Sequence, residues 1–132
     1  MTIPDPWVIL TDQSNAQAWA EIGAAISAPS PEGFLANVRL VSDPKFLDKT
    51  RDEVLDLLGN EYPTDFVFIV DSTSFGDDEH SVLVVEFCDG AVNDFRALPN
   101  TIQSIENNLS IANLGFSEFA DSVEPDGVFR GF

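Results

Sequence analysis

The chain has 132 residues, of which 23 are acidic and 6 are basic, so its formal net charge at pH 7 is −17. This length suits one folded domain, and the 44% of hydrophobic residues, among them 11 Phe, exclude a disordered acidic tail. The charge would repel bare nucleic acid and anionic membranes and attract a cationic partner, so direct binding to nucleic acid or to a membrane is disfavoured.

The first half of the chain predicts strands that alternate with helices. A strand at Trp7–Leu10 precedes a helix that begins near Asn15, where Ser14 and Gln17 match the capping-box pattern. The second predicted strand runs over Leu35–Val41.

A second capping box and a long apolar run predict the middle of the fold. Thr50 with Glu53 starts the next helix, and Gly59 is placed to end it. The central strand is predicted at Phe66–Val70, because five consecutive apolar residues are typical of a strand covered on both faces.

The second half of the chain predicts a hairpin followed by helices. Ser81–Cys88 is nearly all apolar and predicts a strand, which follows a polar loop at 72–80. Asp89 and Gly90 open a connection that ends near Asn93, and 95–98 completes the hairpin. Apolar residues at helical spacing then predict one helix over 101–112 and a shorter one from Phe116, before the tail at 128–132.

This order of elements predicts an α/β fold. We expect a single three-layer domain over 1–132, with a mixed sheet of about five strands and helices on both faces. The first three strands should be parallel, because helices connect them, and the last two should add an antiparallel meander at one edge.

Cysteine content and the lack of long apolar runs indicate the compartment. Cys88 is the only cysteine, so no disulfide can form within one chain and a reducing compartment is expected. No apolar run approaches about 18 residues, and residues 1–6 lack the basic start of a signal peptide. We therefore expect a cytoplasmic protein.

Charged residues are unevenly distributed along the sequence. No Lys or Arg lies between Arg51 and Arg96, whereas this interval holds twelve carboxylates. One interpretation is an acidic solvated face, which exposed charge runs usually form. The other is a surface shaped for a basic protein partner, such as a toxin or nuclease, because unopposed carboxylates destabilise a fold by self-repulsion. The candidate partner-binding residues are Asp71, Asp77, Asp78, Glu79, Glu86, Asp89 and Asp94.

Asp12 and Asp71 follow two predicted parallel strands directly. In open α/β sheets ligands bind at the carboxyl edge of the strands, and two carboxylates there could hold Mg²⁺. The favoured interpretation is structural: Asp12 caps a helix, and Asp71 starts a turn through its own side chain.

His80 and Cys88 are the other candidates for chemistry. His80 lacks any recognised metal-ligand spacing, so a solvated loop is favoured. Cys88 lacks an oxyanion device and an orienting third group, so a buried structural thiol is expected. No P-loop, GxSxG or GxGxxG motif occurs, and no cofactor is predicted. The sequence favours a non-enzymatic protein without excluding an enzyme.

Two features near the C-terminus suggest tethering contacts. Asn107 and Asn108 have poor helix propensity within a predicted helix, which favours hydrogen bonds to neighbouring loops over the alternative, a binding cleft lined by amides. Arg130 is the only basic residue after Arg96, and we expect it to anchor the tail to a carboxylate, with a partner-facing side chain as the alternative.

A likeness to a known family extends over most of the chain. It is carried by Glu106–Asn113, Phe116 with Glu118–Ala120, and Asp126–Phe132, and Ala28–Phe34 and the strand junction before Asp71 extend it. On these residues the chain resembles a family of small acidic bacterial proteins, common in actinobacteria, that constitutes a domain of unknown function. The resemblance implies a source and a single-domain chain, and it implies no activity and no catalytic residue.

Three functional hypotheses follow. The favoured one is a non-enzymatic binding protein, comparable to an immunity protein or inhibitor, that neutralises or sequesters a basic protein partner. The first alternative is a Mg²⁺-dependent enzyme or switch that uses Asp12 and Asp71. The second is a scaffold domain whose charge only keeps it soluble.

Overall fold

A computed structural model describes residues 4–132, which form a six-stranded mixed sheet with helices on both faces. The strands are β1 (Trp7–Leu10), β2 (Arg39–Val41), β3 (Phe66–Val70), β4 (Val82–Cys88), β5 (Ala91–Ala97) and β6 (Val128–Phe129). The helices are α1 (Ala16–Ser27), α2 (Arg51–Leu58), α3 (Ser72–Gly76), α4 (Ile102–Ser110) and α5 (Phe116–Ala120). Short 3₁₀ turns occur at Pro44–Phe46, Gly59–Glu61 and Pro99–Thr101.

The strand order in the sheet is β2-β1-β3-β4-β5-β6. The first three strands are parallel, and β4 is antiparallel to both β3 and β5. The predicted α/β class and mixed sheet are therefore confirmed. The sixth strand was missed: β6 pairs parallel with β5, so the hairpin of β4 and β5 does not end the sheet.

Side chains on both faces of β3 are buried, as its apolar run predicted. On one face, Phe68 and its neighbours pack against α1, α4 and α5, with Ile22 and Ile105 in the same cluster. On the other face, Val67 and Ile69 pack against α2 and the turns beside it. Burial of both faces by helices explains why this strand lacks alternating polar residues.

The helix starts test the predicted caps. Both capping-box hydrogen bonds between Thr50 and Glu53 are present at α2, and Gly59 ends this helix at φ +65°, so these predictions are confirmed. The Ser14–Gln17 box is wrong. Asn15 is the cap of α1, and its side-chain oxygen accepts from the Ala18 N–H at 3.0 Å.

The tight hairpin is a second correction. Asp89 and Gly90 have φ values of +52° and +81° and join β4 to β5 directly, as in two-residue turns with two left-handed residues. β5 therefore begins at Ala91, and the predicted start at Phe95 is wrong. Residues 91–94 are all exposed, and Asn93 and Asp94 have low strand propensity, which hid this half of the strand.

Two further elements differ from their predictions. The predicted polar loop contains the short helix α3, which Asp71 caps. β2 covers only the end of the predicted Leu35–Val41 strand, because the preceding backbone bonds to side chains of α4 instead of to β1. In the part of the chain that the structure describes, no helix is long and apolar enough to cross a membrane.

Candidate functional site

A crevice opens at the carboxyl edge of the sheet between β1 and β3. The chain leaves β1 toward β2 on one side and leaves β3 toward β4 on the other, which is the switch point where ligands bind in open α/β sheets. Asp12 and Asp71 both line this cavity of about 320 Å³, as their positions after the two strands predicted. The rest of its lining includes Thr11, Asp48, Lys49, Thr50, Arg51 and Ser72.

The carboxylates of Asp12 and Asp71 are engaged in structural contacts. Asp71 Oδ2 lies 2.6 Å from the Arg96 guanidinium, and its other oxygen accepts from the Ser74 N–H at 3.1 Å. Asp12 accepts from the Ser14 N–H at 2.7 Å and therefore holds the turn before α1 and does not cap the helix. Within 4–132 the structure brings together no group of three His, Cys, Asp or Glu side chains suited to a metal ion.

The structure divides the predicted partner-binding residues between the two ends of the sheet. One group lies where β3 ends and β4 begins, the other lies around the β4–β5 turn, and one residue lies between them on β5. The first group is Asp71, Asp77, Asp78 and Glu79; the second is Glu86 and Asp89; the intermediate residue is Asp94.

Arginines pair with two carboxylates of the first group, Asp71 and Glu79, and a backbone amide donates to a third, Asp77. Arg96 pairs with Asp71. Arg130 forms ion pairs with Glu79, Glu124 and Asp126, which confirms that Arg130 anchors the C-terminal tail. The Glu79 N–H donates to Asp77 at 3.0 Å, and this hydrogen bond is the main cause that lowers the pKa of Asp77.

The second group has no such compensation among the described residues. The Phe87 N–H donates to the Asp65 carbonyl at 2.9 Å, which brings Asp65 beside the end of β4. Burial raises the pKa of Glu86, and the negative charge of Asp65 raises it further. In the described part of the chain, no basic side chain lies within 4.0 Å of the carboxylates of Asp65, Glu86 or Asp89. The β4–β5 end of the sheet therefore carries three carboxylates without a paired cation.

Cys88 lies at this negative end and is exposed, so the predicted burial of its thiol is wrong. It is the last residue of β4, and residues 88–94 at this end of the hairpin are all exposed. The negative charge of Asp89 is the largest cause that raises the pKa of Cys88, followed by desolvation. A raised pKa leaves less of the reactive thiolate at neutral pH.

His80 lies in the loop after α3, as predicted, but it is half-buried, with φ +55°. Its Nδ1 lies 3.0 Å from the Ser74 carbonyl oxygen, and its Nε2 lies 3.7 Å from Glu21. These contacts join the loop to α3 and α1.

One comparison with known proteins decides the family. Residues 5–132 match the model of DUF6924, a domain of unknown function. The chain belongs to the DUF6924 family. No curated protein matches the sequence significantly. The match spans nearly the whole chain, so the resemblance to a family of unknown function is confirmed at that level.

In this DUF6924 chain a buried carboxylate organises the segment around Asn107. Glu106 is 2% exposed and accepts from the Asn37 N–H at 2.6 Å, from Asn107 Nδ2 at 2.8 Å and from the Ser110 hydroxyl at 2.5 Å. Asn107 Nδ2 also donates to the Leu35 carbonyl at 2.9 Å. The tether between α4 and the 35–37 loop is thereby confirmed for Asn107.

Asn108 has a more local role than Asn107. Its amide donates to the Ser104 carbonyl at 2.7 Å, and its oxygen accepts from Asn113 at 2.8 Å. The buried role of Glu106 is not predictable from its residue type, because a single acidic residue in a helix is normally solvated. Its signals in the sequence were its place beside two helix-disfavouring amides and within the 106–113 segment that carries the family resemblance.

Proposed function

We propose that the protein is a non-enzymatic binding protein that captures a basic protein partner through its acidic surface, in the manner of an immunity protein or inhibitor of a toxin or nuclease. The observation that carries the proposal is the number of carboxylates left without a cation. Of the twelve between Arg51 and Arg96, only Asp52, Asp71, Glu79 and Asp94 form ion pairs within residues 4–132, which leaves eight.

Uncompensated charge of this size supports contact with a cationic molecule. A net charge of about 2–8 in magnitude is enough to keep a small domain soluble, and this chain carries −17. The excess raises the free energy of the folded state by self-repulsion. A basic partner would relieve the repulsion and would be steered toward the surface by it.

The candidate catalytic groups support binding over catalysis. Asp71 of the proposed Mg²⁺ site is neutralised by Arg96, and the raised pKa of Cys88 disfavours a nucleophilic thiolate. The Mg²⁺ hypothesis therefore requires the Asp71–Arg96 pair to break, and the scaffold hypothesis leaves the excess charge without a role.

Affinity capture tests the proposal. The immobilised protein is incubated with an extract of an actinobacterial host, the source that the sequence resemblance suggests, and bound proteins are eluted with increasing salt. We expect a basic protein to be retained at about 50 mM salt and released by about 500 mM, because screening shortens the range of charge interactions.

A matched pair of variants serves as the control. Replacing Asp65, Glu86 and Asp89 by the corresponding amides should weaken capture. The same change at Asp5, Glu32 and Asp48, three exposed carboxylates that carry equal charge outside the 52–94 interval, should weaken it less. Retention that is indifferent to salt, or a partner without excess positive charge, would contradict the proposal.

A further inference from the structure

A groove separates α2 from the β4–β5 hairpin. The sheet face that packs on α2 continues past β3 onto the hairpin, but α2 covers it only in part. The result is an open cavity of about 540 Å³ that extends from Arg51 to the turn at Asp89 and Gly90. One wall is the first two turns of α2, and the other is the end of the hairpin.

The floor of this groove is apolar. Leu55 of α2 and Phe87 of β4 are half-buried and pack on the core, and Val92 of β5 is 37% exposed. Phe87 and Val92 are opposite each other on the sheet face that packs on α2, and Leu55 lies beside them on α2. No element of the described chain covers these three side chains. An apolar residue from another molecule could remove this surface from water, which is favourable in proportion to the area buried.

The rim of the groove is acidic. Asp52 and Asp56 lie one helical turn apart on α2, and Asp89 lies opposite them at the hairpin turn. Arg51 is the one basic residue of the lining, and it pairs with Asp52 at 2.9 Å and with Asp94 at 2.7 Å. The pairs use its positive charge within the protein, so the rim presents net negative charge around the apolar floor.

We propose that this groove docks a basic, amphipathic segment of a protein partner. An apolar side chain of that segment would pack between Leu55, Phe87 and Val92, and flanking Lys or Arg side chains would face Asp56 and Asp89. The inference rests on the proposed capture of a basic protein and adds to it the place and the chemistry of the contact. Charge complementarity selects a basic segment over a second copy of this acidic chain.

Binding of two model peptides tests the docking site. One peptide is built of Lys and Leu with the leucines on one helical face, and the other is oligolysine of the same charge. Calorimetry at low salt should show tighter binding of the Lys/Leu peptide, because only this peptide can fill the apolar floor. Unfolding curves of the groove and control variants described next establish that each variant is folded.

Two variants of the groove and two matched controls locate the contact. Val92→Ser should weaken binding of the Lys/Leu peptide about two- to threefold, because apolar burial is lost. Leu57→Ser should leave binding unchanged, because Leu57 lies outside the groove, although its exposed fraction of 41% is similar to that of Val92. Asp89→Asn should weaken binding of both peptides about two- to fivefold, because it removes one negative charge from the rim. Asn is chosen because it tolerates the left-handed backbone conformation that residue 89 adopts in the turn. Asp78→Asn, at the far end of the sheet, is its control.

The single thiol supplies an independent measure of position. A spin label on Cys88 should broaden the NMR signals of the bound Lys/Leu peptide, whereas a label on Asp78→Cys in a Cys88→Ser background should not. If the peptide binds but the control variants weaken it equally, or the label at 78 broadens it more, the docking site is wrong and the capture of basic partners still holds. If neither peptide binds at low salt, both proposals are wrong.

Discussion

Glu106 is a carboxylate that the fold buries among neutral hydrogen-bond donors. Replacing it by Ala leaves the Asn37 N–H and the Ser110 hydroxyl without their acceptor, so we expect Glu106→Ala to lower the free energy of unfolding by about 2–4 kcal/mol. Urea unfolding curves measure the change. Glu61→Ala, at an exposed position, should remain within about 0.5 kcal/mol of the parent. A loss at Glu106 no larger than at Glu61 would contradict the structural role.

The carboxyl group of Glu86 should titrate above its ordinary range, because burial and the charge of Asp65 disfavour its ionised form. A carboxyl whose folded pKa is raised binds its proton more tightly in the folded state. It therefore favours folding at low pH, and this contribution is lost as pH rises through the folded pKa. NMR titration of the side-chain carboxyl carbon measures the shift.

Asp65→Asn should bring the pKa of Glu86 down toward its ordinary value, and Asp78→Asn, at the far end of the sheet, should leave it unchanged. Asp126 serves as an internal contrast, since hydrogen bonds from Arg130 lower its pKa. Its stabilising contribution is present above the unfolded pKa and is lost as pH falls through the folded one. An unshifted Glu86 would show that the negative end is better solvated than the structure indicates.

At the scale of the elements, β6 fixes the C-terminal tail to the sheet through Phe129. This side chain is 1% exposed and packs against Phe95 and Phe119, with ring centroids at 6.4 and 5.4 Å. Phe129→Ala should lower the free energy of unfolding by about 3–5 kcal/mol, because it leaves a cavity in the core. Phe132→Ala removes a ring of the same size from a site that is 77% exposed, and it should lower the free energy of unfolding much less. Urea unfolding curves measure both changes, and similar losses of unfolding free energy for the two variants would contradict the assignment of β6.

The sequence predicted those elements whose patterns are local. The five apolar residues of β3 and the Thr50–Glu53 cap of α2 lie within a few positions of one another, and both are present. β6 has only two residues and is defined by its pairing with β5 far away in the chain. The strand predicted from Leu35 failed for the same reason, since Asn107 takes the Leu35 carbonyl that a strand would have paired.

The candidate site shows the same division. The common edge occupied by Asp12 and Asp71 follows from the order of strands and helices, so the sequence predicted it. The ion pair of Asp71 with Arg96 depends on the register of β4 against β5, which places Arg96 opposite Leu83. The exposure of Cys88 depends on where the helices stop covering the hairpin, which no local pattern encodes.

For the whole molecule, the net charge of −17 should make stability depend on salt. Screening weakens the repulsion among carboxylates as well as the few ion pairs, and the repulsion involves many more charges. We expect the melting temperature to rise as sodium chloride is increased from about 20 to 300 mM. Calorimetry measures it, and a melting temperature that falls with salt would show that the ion pairs dominate.

The central claim is that the unopposed carboxylates exist for contact with a cationic protein. Isothermal titration of the captured basic partner against the protein, repeated over a series of salt concentrations, tests it most directly. We expect the affinity to fall about tenfold or more between roughly 50 and 500 mM salt, and to fall less steeply for the variant lacking the charges of Asp65, Glu86 and Asp89. An affinity that does not change with salt, or that the variant retains in full, would contradict it.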